Sequence, residues 1–256
     1  MVHFLRTTAA LTGRSLTHVR RSPDTILTTA LTPIAMMLLF VHVFGGAIRT
    51  GSRGEYVDYL LPGILVMTVA SGIAYTAYTA YRLYTDIDGG IFDRLRSLPV
   101  ARSSLLWSHV LTSVVANLAA LVLVVLVALL MGFRSDAGVT AWLGVAGILG
   151  LFTLALTWLA LVPGLVATSA DAVSGFGFPL VFLPFVSSAF VPTAGMPGPV
   201  RWFAEHQPVT PMVEAMRSLY AEQPAGDDLR LAVVWCLGLL VVAYLLAVRT
   251  YRRRFG

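Results

Sequence analysis

Side chains that commonly carry out chemistry are scarce in the apolar parts of this sequence. Glu55, Asp58 and Asp171 fall near the ends of long apolar runs, as do His42 and His109, and no acidic residue lies in the middle of one. Ion-coupled transporters usually place such groups near the membrane midplane. Hydrolases need paired carboxylates, a zinc-binding HExxH or a nucleophile elbow, and none occurs here. We therefore predict no catalytic residue and no metal site, and interpret each lone His as interfacial or structural.

The basic residues limit the energy source. All 18 are Arg, so the chain contains no Lys. A Walker A phosphate loop needs its Lys to reach the β- and γ-phosphates, and Schiff-base chemistry needs an amine. The single Cys236 allows no intrachain disulfide and suits a small buried apolar residue. The sequence thus predicts a pathway that is not an enzyme, holds no cofactor and is powered from elsewhere.

A row of tyrosines is the first candidate for contact with a substrate. Tyr75, Tyr78, Tyr81 and Tyr84 recur every third residue. On a helix each step of three slips by about 60°, so the rings spread over half of the circumference. They fit either an aromatic belt at the cytoplasmic interface or a lining for an aromatic or amphipathic substrate. The predicted path residues are Tyr75, Tyr78, Phe182 and Phe185.

A short segment after the tyrosines combines acidic, apolar and basic residues. Asp93 opens the pattern and Pro99 ends it. This predicts a short helix outside the membrane, with Phe92, Leu95 and Leu98 on one face. It is either a docking helix for a soluble partner or a solvated loop that fixes the topology.

The last long connection, residues 194–228, contains the remaining candidates. Trp202 and Met212 suit interfacial or re-entrant helices. Glu214 and Arg217 are three residues apart and can pair on one helix face. Such a pair either stabilises its helix or belongs to an external gate.

The composition indicates that a membrane positions these residues. Hydrophobic residues make up 57% of the chain and charged residues 12%, whereas soluble domains are about 25% charged. A spanning helix needs about 20 apolar residues. Six stretches qualify, near 25–45, 57–78, 105–132, 139–163, 173–193 and 229–248. The fifth contains Pro179, Pro184 and Pro192, which imply kinks or a broken segment. We predict one all-α polytopic domain over 1–256 with six transmembrane helices.

The distribution of Arg predicts the orientation. Of the 18 Arg, 12 lie in the segments on the side of both termini, and this richer side is expected to be cytoplasmic. Residues 1–24 suit an amphipathic interfacial helix, with a basic tail as the alternative. The net charge of +5 is explained by topology, so we expect no nucleic-acid partner. The expected location is a bacterial plasma membrane, crossed several times.

Four ordered stretches resemble the ABC type-2 exporter permeases, particularly the daunorubicin-resistance-like branch. They are YLLPGI at 59–64, DRLRSLPVAR at 93–102, the segment 190–197 and the segment 208–217. The resemblance covers nearly the whole chain in order and length. His206 and Gln207 depart from the family pattern, where a polar residue and Asn are expected, and we expect this to affect helix capping only.

The resemblance implies partners that the residues alone do not. It implies six spans, an interfacial N-terminal helix and the pairing of two permeases, identical or different. It also implies two ATP-binding subunits, which bind ATP and Mg and dock on the segment 93–102, with the loop 164–172 as a second contact. The implied docking residues are Phe92, Asp93, Arg94, Leu95, Arg96, Leu98 and Asp171.

The resulting hypothesis is a permease subunit that exports a drug, polyketide or lipid and so contributes to antibiotic resistance by efflux. Membrane lipids are expected to surround it. A polysaccharide-exporting ABC permease, a secondary transporter and a non-transporting scaffold are the alternatives.

Overall fold

The computed structural model describes residues 23–44, 53–86, 102–135 and 137–255, and these ranges form helices and turns with no strand. The helices are α1 (Pro23–Leu39), α2 (Arg53–Asp86), α3 (Arg102–Leu130), α4 (Val139–Val166), α5 (Ala170–Phe182), α6 (Gly198–His206), α7 (Val209–Tyr220) and α8 (Gly226–Phe255). A π-helical turn, Phe40–Phe44, extends α1, and 3₁₀ segments occupy Leu183–Val186 and Thr193–Gly195. The all-α prediction is confirmed for this part of the chain. Residues 1–22 of the predicted interfacial helix lie outside it.

Four of the described helices are long and apolar enough to cross a membrane. The apolar segments are Tyr56–Tyr81, His109–Leu130, Val139–Val166 and Gly226–Arg253. Helices also occupy the first and fifth predicted spans, but their apolar segments, Thr29–Val43 and Ala170–Val186, are shorter. Six crossings and the orientation of the termini therefore stay predictions.

Helix α2 lies at the centre of the bundle. Its apolar segment is 94% buried, against 28% for α3 and 22% for α8. It packs against α1, α3, α4, α5 and α7. The exposed faces of α3 and α8 are rich in Leu and Val, as expected of surfaces that meet lipid tails.

The buried threonine hydroxyl groups of α2 and α4 are satisfied within their own helices. Thr68 Oγ1 donates to the Ile64 carbonyl at 2.7 Å, and Thr157 Oγ1 donates to the Thr153 carbonyl at 2.7 Å. Bonding back to the preceding turn is the common solution for Ser and Thr inside a helix. It spares the fold the cost of an unpaired polar group in an apolar interior.

The fifth apolar helix is short because of its sequence. Ser169 caps it, since the Ala172 amide donates to Ser169 Oγ at 3.2 Å. Pro179 removes one backbone donor, and the helix ends at Phe182 in a 3₁₀ segment that contains Pro184. The predicted break in this span is confirmed.

Candidate functional site

Arg217 of α7 joins three parts of the fold through one guanidinium group. Its Nη2 donates to the carbonyls of Tyr59, Ser188 and Ala189 at 3.1, 2.9 and 3.0 Å, and its Nη1 donates to Glu214 Oε1 at 2.8 Å. The guanidinium carbon lies 3.8 Å from the centre of the Tyr59 ring. We call these five residues the Arg217 clamp. It connects α7, the N-terminal part of α2 and the turn after α5.

In the turn after α5, side chains accept hydrogen bonds from the backbone amides, and the carbonyl groups accept from Arg217. Ser187 Oγ accepts from the Ala189 amide at 3.0 Å, and Thr210 Oγ1 accepts from the Ser188 amide at 3.3 Å. A Cβ on Gly63 of α2 would lie 2.7 Å from Ala189 Cβ. Glycine at this position therefore allows α2 and the turn to approach closely enough for one Arg to reach both.

Burial distinguishes the clamp from a surface ion pair. The Arg217 side chain is 16% exposed, whereas Arg201 of α6, which pairs with Glu205 at 2.7 Å, is 49% exposed. The hydrogen bond from Arg201 lowers the pKa of Glu205. Losing one partner of a buried charge leaves the other groups unpaired, so the clamp matters more to stability than the surface pair. The predicted gating role of Glu214 and Arg217 stays a prediction.

The polar contacts between α2 and α3 are not predicted by the sequence analysis. Thr79 Oγ1 lies 3.0 Å from His109 Nε2. Asn117 donates to the Ser113 carbonyl at 3.1 Å and packs against Gly72, where a Cβ would overlap Asn117 Oδ1. The spacing of four between these α3 residues was the available signal, because it places them on one helix face.

The predicted path residues fall in two places. Phe182 and Phe185 contact each other, with ring centres 6.0 Å apart, near the clamp end of the bundle. Tyr78 is half-buried on α2, roughly 28 Å along that helix from Tyr59 of the clamp. For Tyr75 only the backbone in α2 is described. A role in substrate passage stays a prediction for all four.

The opposite end of α2 meets the connection between α4 and α5. The Tyr81 hydroxyl donates to the Thr168 carbonyl at 3.4 Å. Asp171 follows in the first turn of α5 and is exposed. The other predicted docking residues, Phe92, Asp93, Arg94, Leu95, Arg96 and Leu98, lie outside the described residues. Asp171 is thus accessible, at the end of α2 remote from the clamp.

Potential metal ligands are dispersed. In the ranges that the structure describes, no group of three His, Cys, Asp or Glu residues is placed to hold a metal ion. The Cys236 thiol is buried and donates to Met212 Sδ at 3.7 Å. The described site therefore consists of hydrogen-bonding and ion-pairing groups.

Comparison with known proteins identifies the family of this chain. Residues 6–220 match the ABC-2 type transporter family. The chain is 32% identical to the daunorubicin resistance ABC transporter permease protein DrrB1 of Streptomyces coeruleorubidus, over 96% of this chain and 88% of the relative. It is 26% identical to the probable doxorubicin resistance ABC transporter permease protein DrrC of Mycobacterium tuberculosis, over 98% and 90% of the two chains.

Proposed function

Because this chain belongs to the ABC-2 type transporter family and is a multi-pass membrane protein, we propose that it is the permease of an ATP-driven exporter whose ATPase is a separate subunit. The proposal rests on the membership of this chain in that family, taken together with the lack of any Lys in its sequence. Lacking the Lys of a phosphate loop, it needs a partner to bind ATP and Mg.

Two copies of the ATPase would dock at the Arg-rich side of the membrane. The segment 93–102 supplies the main contact, with Arg94 and Arg96 as its charged groups. Asp171 supplies the second, and its exposure in the first turn of α5 supports this role. Two permeases would share the two ATPases.

Helix α2 is suited to couple the two ends of the permease. Near its C-terminus it is bonded to the connection that precedes Asp171, and near its N-terminus it is held by Arg217. A packed helix with partners at both ends is the kind of element that can carry coupling between them. Movement at the ATPase end would therefore release the Arg217 clamp and open the external side.

The exported compound is proposed to be hydrophobic or amphipathic. The apolar spans contain no acidic residue near their middle, which disfavours a small cation as cargo. The names of the two relatives refer to daunorubicin and doxorubicin resistance, and a drug is the cargo we favour here. Six crossings, cytoplasmic termini and a bacterial plasma membrane complete the proposal.

Copurification tests the docking step. The chain is expressed with a tagged candidate ATPase, as the parent and as the Arg94→Glu/Arg96→Glu variant. An Arg49→Glu/Arg53→Glu variant is the control, since it changes the charge equally on the predicted external side. With equal amounts of each in the membrane fraction, only the first variant should lose the ATPase. Full retention of the ATPase by that variant would refute docking at this segment.

A further inference from the structure

The last three turns of α8 carry a face that changes from apolar to basic. Leu245, Val248, Arg249 and Arg252 follow at spacings of three and four, which place them on one side of the helix. Together with Arg253 they line a shallow, open cavity of about 530 Å³ on the surface of α8. The apolar half belongs to the membrane-spanning segment, and the basic half lies where that segment ends. This face therefore sits at the depth where lipid tails meet headgroups.

In the described ranges, the three Arg residues of this face form no ion pair with a carboxylate. In the described part of the chain, Arg201, Arg217 and Arg230 each pair with an acidic residue within four positions. Arg249, Arg252 and Arg253 show no such pair there, and all three are exposed. The sequence contains no Asp or Glu after Asp228. The described part of α8 that forms this face therefore supplies no anion of its own.

Arg253 also borders a second cavity of about 580 Å³. Its other walls come from the C-terminal parts of α2 and α4 and from the turn that follows α4. The lining residues are Tyr81, Leu165, Val166, Ala167, Thr168, Thr250 and Arg253. The guanidinium of Arg253 thus lies between two recesses at the membrane boundary, next to the turn that precedes Asp171.

We propose that this face of α8 binds an anionic phospholipid. The phosphate lies among Arg249, Arg252 and Arg253, since guanidinium groups form forked, charge-assisted hydrogen bonds with phosphate oxygens. An acyl chain lies along Leu245, which is 60% exposed, and Val248. A soluble protein can reach the Arg residues but not Leu245 within the bilayer, so apolar and basic groups on one face select a lipid. The site is independent of the proposed transport activity.

Native mass spectrometry of the full-length protein tests the site with phosphatidylglycerol and phosphatidylcholine as probes. The test variant is Arg249→Gln/Arg252→Gln/Arg253→Gln. The charge-matched control, Arg134→Gln/Arg201→Gln/Arg230→Gln, lies towards the other end of the bundle. We expect the test variant to weaken phosphatidylglycerol binding by roughly fivefold per guanidinium, on the order of 100-fold in all, and the control to bind like the parent.

The apolar half is tested by a neighbouring pair of variants. Leu245→Ser removes a lining side chain, whereas Leu246→Ser alters an exposed Leu that does not line the cavity. Only Leu245→Ser should weaken binding, by roughly fivefold. If the triple Arg variant fails to fold, as judged by its melting in phosphatidylcholine, Arg252→Gln alone replaces it, with an expected loss of roughly fivefold.

Three results would overturn the proposal. Equal loss in the test and control variants would mean that bulk charge attracts the lipid. Equal affinity of the parent for the two lipids would mean that the face does not recognise an anion. Unchanged phosphatidylglycerol binding with loss of ATPase copurification would mean that the face contacts a protein.

Discussion

Replacing Arg217 with Gln should destabilise the protein far more than the loss of an ordinary ion pair. The guanidinium donates to three backbone carbonyls and to Glu214. After the change, the Ser188 carbonyl keeps the Tyr59 hydroxyl at 3.3 Å. In the described part of the chain, the Ala189 carbonyl keeps no side-chain donor. One orphaned carbonyl and the lost charged hydrogen bonds together cost about 2–4 kcal/mol.

Thermal unfolding in nanodiscs measures this loss. A change of about 2–4 kcal/mol in a chain of this size lowers Tm by roughly 4–16 °C. Arg217→Lys should recover little, because an ammonium group keeps the charge but cannot reach all of these carbonyls at once. Glu214→Gln should cost less than Arg217→Gln, because the amide oxygen of Gln can still accept from Arg217 and the three carbonyl contacts remain. The matched control Arg201→Gln should change stability little, since it removes an exposed pair.

The same variant tests whether the clamp opens during transport. In a Cys236→Ser background, Ser188→Cys places a thiol at a site that is 4% exposed. A membrane-impermeant maleimide should label it only during ATP turnover when Arg217 is present, and at all times in Arg217→Gln.

In the unfolding experiment, the importance of the carbonyl contacts is refuted if Arg217→Lys is as stable as the parent while Glu214→Gln loses as much stability as Arg217→Gln. The ion pair, not the carbonyl contacts, would then hold α7 in place.

Two further changes probe the interior of the bundle. Gly72→Ala should lower the unfolding free energy by about 1–3 kcal/mol, because its Cβ would displace the buried Asn117 side chain. The control Gly147→Ala has open space around it and should leave the unfolding free energy unchanged. Adding Asn117→Ala to Gly72→Ala should recover the lost stability. Tyr75→Leu/Tyr78→Leu should assemble normally yet export less, as measured by dye efflux, and unchanged efflux would exclude these rings from the path.

The helical fold could be predicted because a bilayer imposes a simple length requirement. The third and fourth apolar runs, expected near 105–132 and 139–163, form α3 (Arg102–Leu130) and α4 (Val139–Val166). Helix α2 extends to Asp86, past the expected end near residue 78. A helix need not stop where its apolar segment ends, and Ala80, Arg82 and Leu83 favour its continuation. In the fifth apolar run, Pro179 and Pro184 already predict an early end of the helix.

The site was less predictable because its contacts are distant in sequence. The spacing of Glu214 and Arg217 suggested their pairing, which depends only on the local helix. The contact of Arg217 with Tyr59 joins residues 158 positions apart, and nothing in either neighbourhood indicates the other. The contact of Asn117 with Gly72 could not be predicted for the same reason, since it depends on the packing of α3 on α2.

Energy dependence of transport tests the central claim most directly. A fluorescent anthracycline is added outside inverted membrane vesicles that contain the chain and its ATPase. Its uptake is followed with ATP present and the proton gradient collapsed. The account predicts uptake that persists under these conditions and disappears when the ATPase carries a substitution in its phosphate loop. Uptake that continues without ATP hydrolysis and stops when the proton gradient is removed would contradict it.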